Sequence, residues 1–233
     1  MTILVVAAHP DDEVLGCGAT IARLASEGQR IVVAILGEGA TSRAPGRADG
    51  DVELVGELAE RAKEVGRLLG AAEVRLFGLP DNRFDSVDLL DVVKVVEGVI
   101  EDTRPSVVLA HHGGDLNIDH AIVHRAVLTA TRPVTGQVVQ SVYAFEVPSA
   151  TEWAFQRHEP VFRPNVFVDV DGFLDAKLAG MHLYESEARA FPHPRSPEAL
   201  TAIARRWGSV VGCPAAEAFE LVRRVSGAAP LDL

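Results

Sequence analysis

The sequence predicts an α/β protein with a mainly parallel sheet, and three observations carry that expectation. Short apolar runs alternate with longer segments of helical spacing up to Pro133. The apolar runs are continuous, as in strands covered on both faces. Gly28, Gly70, Pro105 and Pro133 stand where one segment has to stop before the next begins. Alternating βαβα units imply right-handed crossovers and helices on both faces of the sheet. The expected architecture is a Rossmann-like three-layer sandwich.

Ile3–Ala8 reads as the first strand. Val14–Glu27 follows as a helix, with Leu15, Ile21, Leu24 and Ala25 on one side, ended by Gly28. Ile31–Leu36 is a second buried strand, and residues 37–52, rich in Gly, Ala and charge, form a long loop. Glu53–Leu69 is helical up to Gly70, Glu73–Phe77 is a strand, and Ser86–Asp102 is a helix that Asp85 or Ser86 could cap. Val107–Ala110 is the fourth strand, and Ile118–Thr131 is a helix stopped before Pro133. Beyond Pro133 the pattern changes. Val138–Phe145 and Asn165–Val170 read as strands, with helices at about 173–188, 196–211 and 214–224. No repeat or linker interrupts the chain, so one domain over residues 1–233 with an elaborated C-terminal third is expected.

Composition narrows the function classes. The 233 residues carry 22 Lys+Arg and 33 Asp+Glu, a formal charge of −11, with 48% hydrophobic residues. That acidity argues against a nucleic-acid groove or an anionic membrane surface. No apolar run approaches the roughly 18–20 residues of a membrane span. The start, MTILVVAAHPDDE, lacks a basic n-region. Cys17 and Cys213 form neither a disulfide framework nor a CxxC zinc site. A cytoplasmic, reducing location is expected, with a small molecule as partner and an assembly of identical chains left open.

Ligands in such sheets bind at the carboxyl ends of the strands. The polar segments there are HPDDE (9–13), GEG (37–39), GLPDNRFD (78–85) and HHGGDLNIDH (111–120). Two of them bring histidines and carboxylates to one edge. Singly, each residue has an ordinary explanation: His9 as a strand-end histidine, Asp11, Asp12 and Asp119 as helix caps. Together, adjacent acids repel unless a cation neutralises them, and imidazole with carboxylate suits zinc.

AHPDDE (8–13) and DLNIDH (115–120), each following a strand, resemble the two motifs of the PIG-L / LmbE-like family of metal-dependent N-acetyl-sugar deacetylases. The resemblance continues through GLPDNR (78–83), RAVLTATRP (125–133) and YESEARAFPHPRS (184–196). It implies hydrolysis of an N-acetylated small-molecule substrate with zinc, or alternatively ferrous iron, as cofactor. It makes His9, Asp12 and His120 the metal ligands and Asp11 the general base. Asp81 and Asn82 resemble a position that binds sugar hydroxyls; an ordinary turn is the alternative.

The sequence also departs from the family pattern. Asn117 stands where many members have a histidine that assists the oxyanion or leaving group. Asparagine can donate a hydrogen bond there but not a proton. His193 is the expected catalytic substitute, with His111 and His112 as alternatives. The helix at 57–70 lacks the arginine often found at its start, so Arg43, or else Arg47, is expected to contact substrate. His124, one turn after His120, could add a ligand. Glu146 could face the sugar or merely close a loop. Two further readings stay open: an N-acyl hydrolase of a non-sugar amide, and a noncatalytic metal-binding protein. A dinucleotide-binding module is disfavoured, because HPDDEVLGCG replaces the glycine-rich turn and would repel a pyrophosphate.

Overall fold

In the computed structural model, residues 1–43 and 51–225 are described, Arg43 by its backbone alone. Seven strands form one sheet: β1 (Thr2–Ala7), β2 (Arg30–Gly37), β3 (Glu73–Leu79), β4 (Val107–His111), β5 (Ser141–Phe145), β6 (Val166–Asp169) and β7 (Ala216–Arg224). Their spatial order is β3-β2-β1-β4-β5-β7-β6. The first five strands run parallel, and β7 lies antiparallel to both β5 and β6. The helices are α1 (Asp12–Ser26), α2 (Val52–Leu68), α3 (Leu89–Thr103), α4 (Ile118–Ala130), α5 (Leu174–Leu183) and α6 (Pro197–Val211). None of the described helices is long and apolar enough to cross a membrane.

The continuous apolar strands divide their side chains between two cores, because successive residues point to opposite faces. Ile3, Val5 and Ala7 of β1 join Ile31, Val33 and Ile35 of β2 against α1, α2 and α5. Leu4, Val6, Val32, Ala34 and Leu36 face α3 and α4 on the other side. The three layers follow from this. Gly16 lets α1 lie close on β5: a Cβ there would stand 2.3 Å from the Phe145 ring.

Several boundaries differ from the sequence expectation. α3 begins at Leu89 after a separate 3-10 turn at Phe84–Ser86, so neither Asp85 nor Ser86 caps it. α5 ends at Leu183, and β5 begins only at Ser141. The substantive correction is residues 214–224, expected to be helical, which contain strand β7. Its Ala, Glu and Leu favour helix. Tertiary pairing overrides that preference, since β7 fills the gap between β5 and β6. Its side chains alternate: Ala216 and Ala218 pack with Trp207 of α6, while Phe219 enters the main core.

Glu217 shows what the strand does for the site. α1 kinks at Cys17, whose φ is −148° and ψ 24°, and the kink frees amides inside the helix. Glu217 accepts hydrogen bonds from Ala19 N (3.3 Å) and Thr20 N (2.7 Å). Lys177 on α5 donates to Glu217 (2.6 Å) and to Leu15 O (2.8 Å). The side chains of this ion pair are 7% and 3% exposed. Removing one partner leaves an uncompensated buried charge. Lys177→Met is expected to destabilise the protein by about 3–5 kcal/mol in urea unfolding. Adding Glu217→Gln should recover part of that loss, since glutamine still accepts from the two amides.

Candidate functional site

Five chain segments at the carboxyl ends of β1 to β5 surround a cavity of about 510 Å³. His9, Pro10 and Asp11 come from the first, Gly39 and Ser42 from the second, Asp81 and Asn82 from the third. Leu116, Asn117, Ile118 and His120 follow β4, and Ser149, Ala150 and Trp153 follow β5. Glu187 and Arg195, from the segment between α5 and α6, complete the wall. The sequence expectation of one shared edge therefore holds for all four segments it named, and β5 adds a fifth.

His9, Asp12 and His120 are buried, and each offers a ligand atom within 4.8 Å of the others. Asp12 Oδ2 lies 3.4 Å from His9 Nδ1 and 3.2 Å from His120 Nε2. The opposite ring nitrogens are already engaged. His9 Nε2 is 2.9 Å from Asp119 Oδ2, and His120 Nδ1 is 3.0 Å from Asp115 Oδ2. A carboxylate behind each imidazole fixes its tautomer and turns the other nitrogen toward Asp12, as metal-binding histidines require. Among the described residues, two other groups meet the same spacing, His111–Asp115–His120 and His9–Asp81–Asp119. Their carboxylates are the ones that hold the imidazoles.

Electrostatics supports the same division. Burial disfavours the charged imidazole of His120, yet Asp12 and Asp115 outweigh it and raise its pKa to about 9. His9 is raised likewise, against burial, by Asp119 and Asp12. Burial opposes ionisation of Asp12, but His120 holds it well below the usual carboxylate range. The donor set demands positive charge, and a divalent cation on His9, Asp12 and His120 fits it.

Asp11 does not cap α1. It sits at the cap position with φ 113°, and its side chain makes no capping bond. Its amide donates to Glu13 Oε2 (3.1 Å), and Tyr184 Oη donates to Glu13 Oε1 (2.7 Å). The Asp11 carboxylate instead accepts from Arg195 Nη1 at 2.5 Å, with Glu187 Oε2 at 3.4 Å from the same nitrogen. Burial pushes Asp11 above its usual range while Arg195 pulls the other way. Arg195, like Ser149, Trp153 and Glu187, is a cavity residue that the sequence did not single out. It lies within the quoted PHPRS stretch, but nothing local marks a contact across 184 positions.

The remaining expected residues fall as follows. Asp81 accepts from Ser42 N (3.0 Å) and from Asn82 Nδ2 (3.0 Å), and both Asp81 and Asn82 line the cavity. Asn117 also lines it while capping α4 through Asp119 N (2.9 Å). His193 packs edge-on against Trp153, with ring centroids 5.4 Å apart, and is not a lining residue. Its Nδ1 accepts from Arg195 N (3.1 Å). His111 is fully buried, its Nε2 taking the Ala8 amide at 2.8 Å. His112 and Glu146 face a separate cavity of about 420 Å³. His124 Nδ1 lies 2.8 Å from His111 O, and His124 belongs to none of the candidate ligand groups. The Arg43 side chain and Arg47 lie outside the described residues.

The bond from Tyr184 keeps buried Glu13 satisfied, and Glu13 in turn holds the amide of left-handed Asp11. Tyr184→Phe leaves an acceptor without its donor and is expected to cost about 1–3 kcal/mol in urea unfolding.

Comparison with known proteins agrees with this architecture. The uncharacterized deacetylase YaiS of Escherichia coli (strain K12) is 28% identical over 190 residues, which cover 79% of this chain and 90% of the relative. The 1D-myo-inositol 2-acetamido-2-deoxy-alpha-D-glucopyranoside deacetylase of Acidothermus cellulolyticus is 30% identical over 232 residues, covering 80% of this chain and 79% of the relative. Among solved structures, the conserved protein TT1542 from Thermus thermophilus superposes with a TM-score of 0.74 at 25% identity, over 99% of this chain and 98% of that one. The family model for PIG-L, described as GlcNAc-PI de-N-acetylase, matches residues 4–131, more than half of the sequence, and the chain belongs to that family.

Proposed function

We propose that the protein hydrolyses the acetamide of an N-acetylated amino sugar or sugar conjugate, with a divalent metal, zinc by the donor set, held by His9, Asp12 and His120. When bound there, the metal supplies a Lewis acid that polarises the amide carbonyl and acidifies a water. The observation that carries this reading is the Asp11 carboxylate. It is released from helix capping, faces the cavity beside those three residues and is gripped by Arg195.

Asp11 accepts a proton from the attacking water as the C–O bond forms. Arg195 keeps the carboxylate in place and balances its charge, with Ser149 holding the guanidinium from the far side (Nε to Oγ, 2.7 Å). As the C–N bond breaks, the proton on Asp11 passes to the departing nitrogen, giving acetate and a free amine. This route needs no histidine at position 117. His193, behind Trp153, serves by fixing that ring. Asp81, Asn82 and Ser42, joined by hydrogen bonds, offer carboxylate, amide and hydroxyl groups for sugar hydroxyls. Leu116, Ile118 and Trp153 add less polar surface to the same lining. The names of the deacetylase relatives support the substrate class.

Acetate release from N-acetylglucosamine compounds by the zinc-loaded protein tests the proposal. Asp11→Asn should lower kcat by about 10²–10⁴-fold while zinc binding persists. Undiminished turnover in that variant would overturn the assigned role. Treatment with a strong chelator should abolish activity, and zinc should restore it. Activity that survives complete metal removal would refute the metal-dependent mechanism.

A further inference from the structure

Both halves of the site lean on one turn. Ser149 and Thr151 follow β5, two residues apart, and neither is one of the three candidate ligands. Ser149 Oγ accepts from Arg195 Nε at 2.7 Å, and Arg195 Nη1 reaches Asp11. Thr151 Oγ1 lies 3.1 Å from Asp115 Oδ2, and that same oxygen holds His120 Nδ1 at 3.0 Å. Thr151 Oγ1 also accepts from Val147 N at 2.8 Å, so its hydroxyl hydrogen is directed at Asp115. One relay ends on the expected base and the other on an expected ligand.

The turn is built to hold those directions. Ser149 is 9% exposed and has a φ of 78°, a left-handed conformation that a residue with a Cβ keeps only where its surroundings enforce it. Glu152 enforces it by accepting from Ser149 N at 2.7 Å. Ala150 O takes the Leu116 amide at 3.4 Å and ties the turn to the loop carrying Asp115. The β4 and α5–α6 segments thus meet through this turn.

We propose that Ser149 and Thr151 are positioning residues: Thr151 orients Asp115 and through it His120 toward the metal, and Ser149 orients Arg195 and through it Asp11. The inference rests on the metal-dependent deacetylase reading. It goes beyond it by assigning the two functions to adjacent, separable hydroxyls. A merely structural turn would couple the two effects. Two independent struts would separate them.

The test uses the intact protein. Zinc affinity is measured by competition with a chromophoric chelator, and kcat and KM by acetate release. Thr151→Val is expected to weaken zinc binding by about 10-fold, the lower end of the effect of removing a partner behind a metal ligand, because Thr151 acts one step further back through Asp115. Thr151→Ser, which keeps the hydroxyl, should restore it. Ser149→Ala and Ser149→Gly, the second of which suits the left-handed backbone, should leave zinc affinity unchanged. Both should lower kcat by about 10–100-fold with little change in KM, as expected when a reacting group loses its orientation. Wild-type zinc affinity in Thr151→Val would overturn the proposal. So would parallel loss of zinc and kcat in all four variants with matching loss of melting temperature. A wild-type protein that binds zinc but releases no acetate would count against the deacetylase reading, and the Thr151 arm would still decide the inference by zinc binding alone.

Discussion

Charge compensation at the carboxyl edge of the sheet is the constraint on which the rest of the structure depends. The carboxylates of Asp11, Asp12, Glu13, Asp81, Asp115, Asp119 and Glu187 are all buried within a few residues of one cavity. Buried charges of one sign repel strongly unless each finds a partner. The partners differ in kind. Asp115 and Asp119 take imidazole nitrogens, Glu13 a phenol, Asp81 two N–H donors and Asp11 a guanidinium. Asp12 alone stands between His9 and His120. The carboxylate between the two imidazoles is therefore the one whose neighbours are pinned from behind.

Much of this was legible in the sequence because the decisive residues are local. AHPDDE follows a strand and opens a helix, so its position on the edge comes from chain direction alone. The same holds for DLNIDH after β4, and there the capping role considered for its residues turns out to belong to Asn117. Asp11 was ambiguous between cap and chemistry. Only its backbone, left-handed and without a capping bond, separates the two. Long-range contacts were not legible. Arg195 meets Asp11, and Tyr184 meets Glu13, across more than 170 positions. No local periodicity encodes such a pairing. His193 stood out in the sequence because titratable residues draw attention; its neighbour two positions on reaches the cavity instead.

The misread segment 214–224 illustrates a different limit. Ala216–Arg224 has the composition of a helix, and only partners on both sides make it a strand. Once there, Glu217 completes the amides exposed by the kink in α1 and neutralises Lys177. The first turn of α1 carries Asp12 and Glu13, so the C-terminal third supports the helix from which the motif projects. A strand that local preference disfavours is retained by this long-range pairing.

The topology also explains why the C-terminal third reaches the site at all. β6 ends at Asp169, which pairs with Ala216 at the start of β7. β5 ends at Phe145, which pairs with Phe219 near that same start. Because β7 is antiparallel, the chain both leaves β6 and enters β7 on the carboxyl edge. Everything between, residues 170–215, begins and ends on that edge. A parallel last strand would have required a return to the opposite edge and carried this segment away from Asp11. Reversing one strand thus places Tyr184, Glu187 and Arg195 over a site whose other residues come from the parallel half. The antiparallel addition supplies the guanidinium that meets Asp11 at the acidic edge of the parallel sheet.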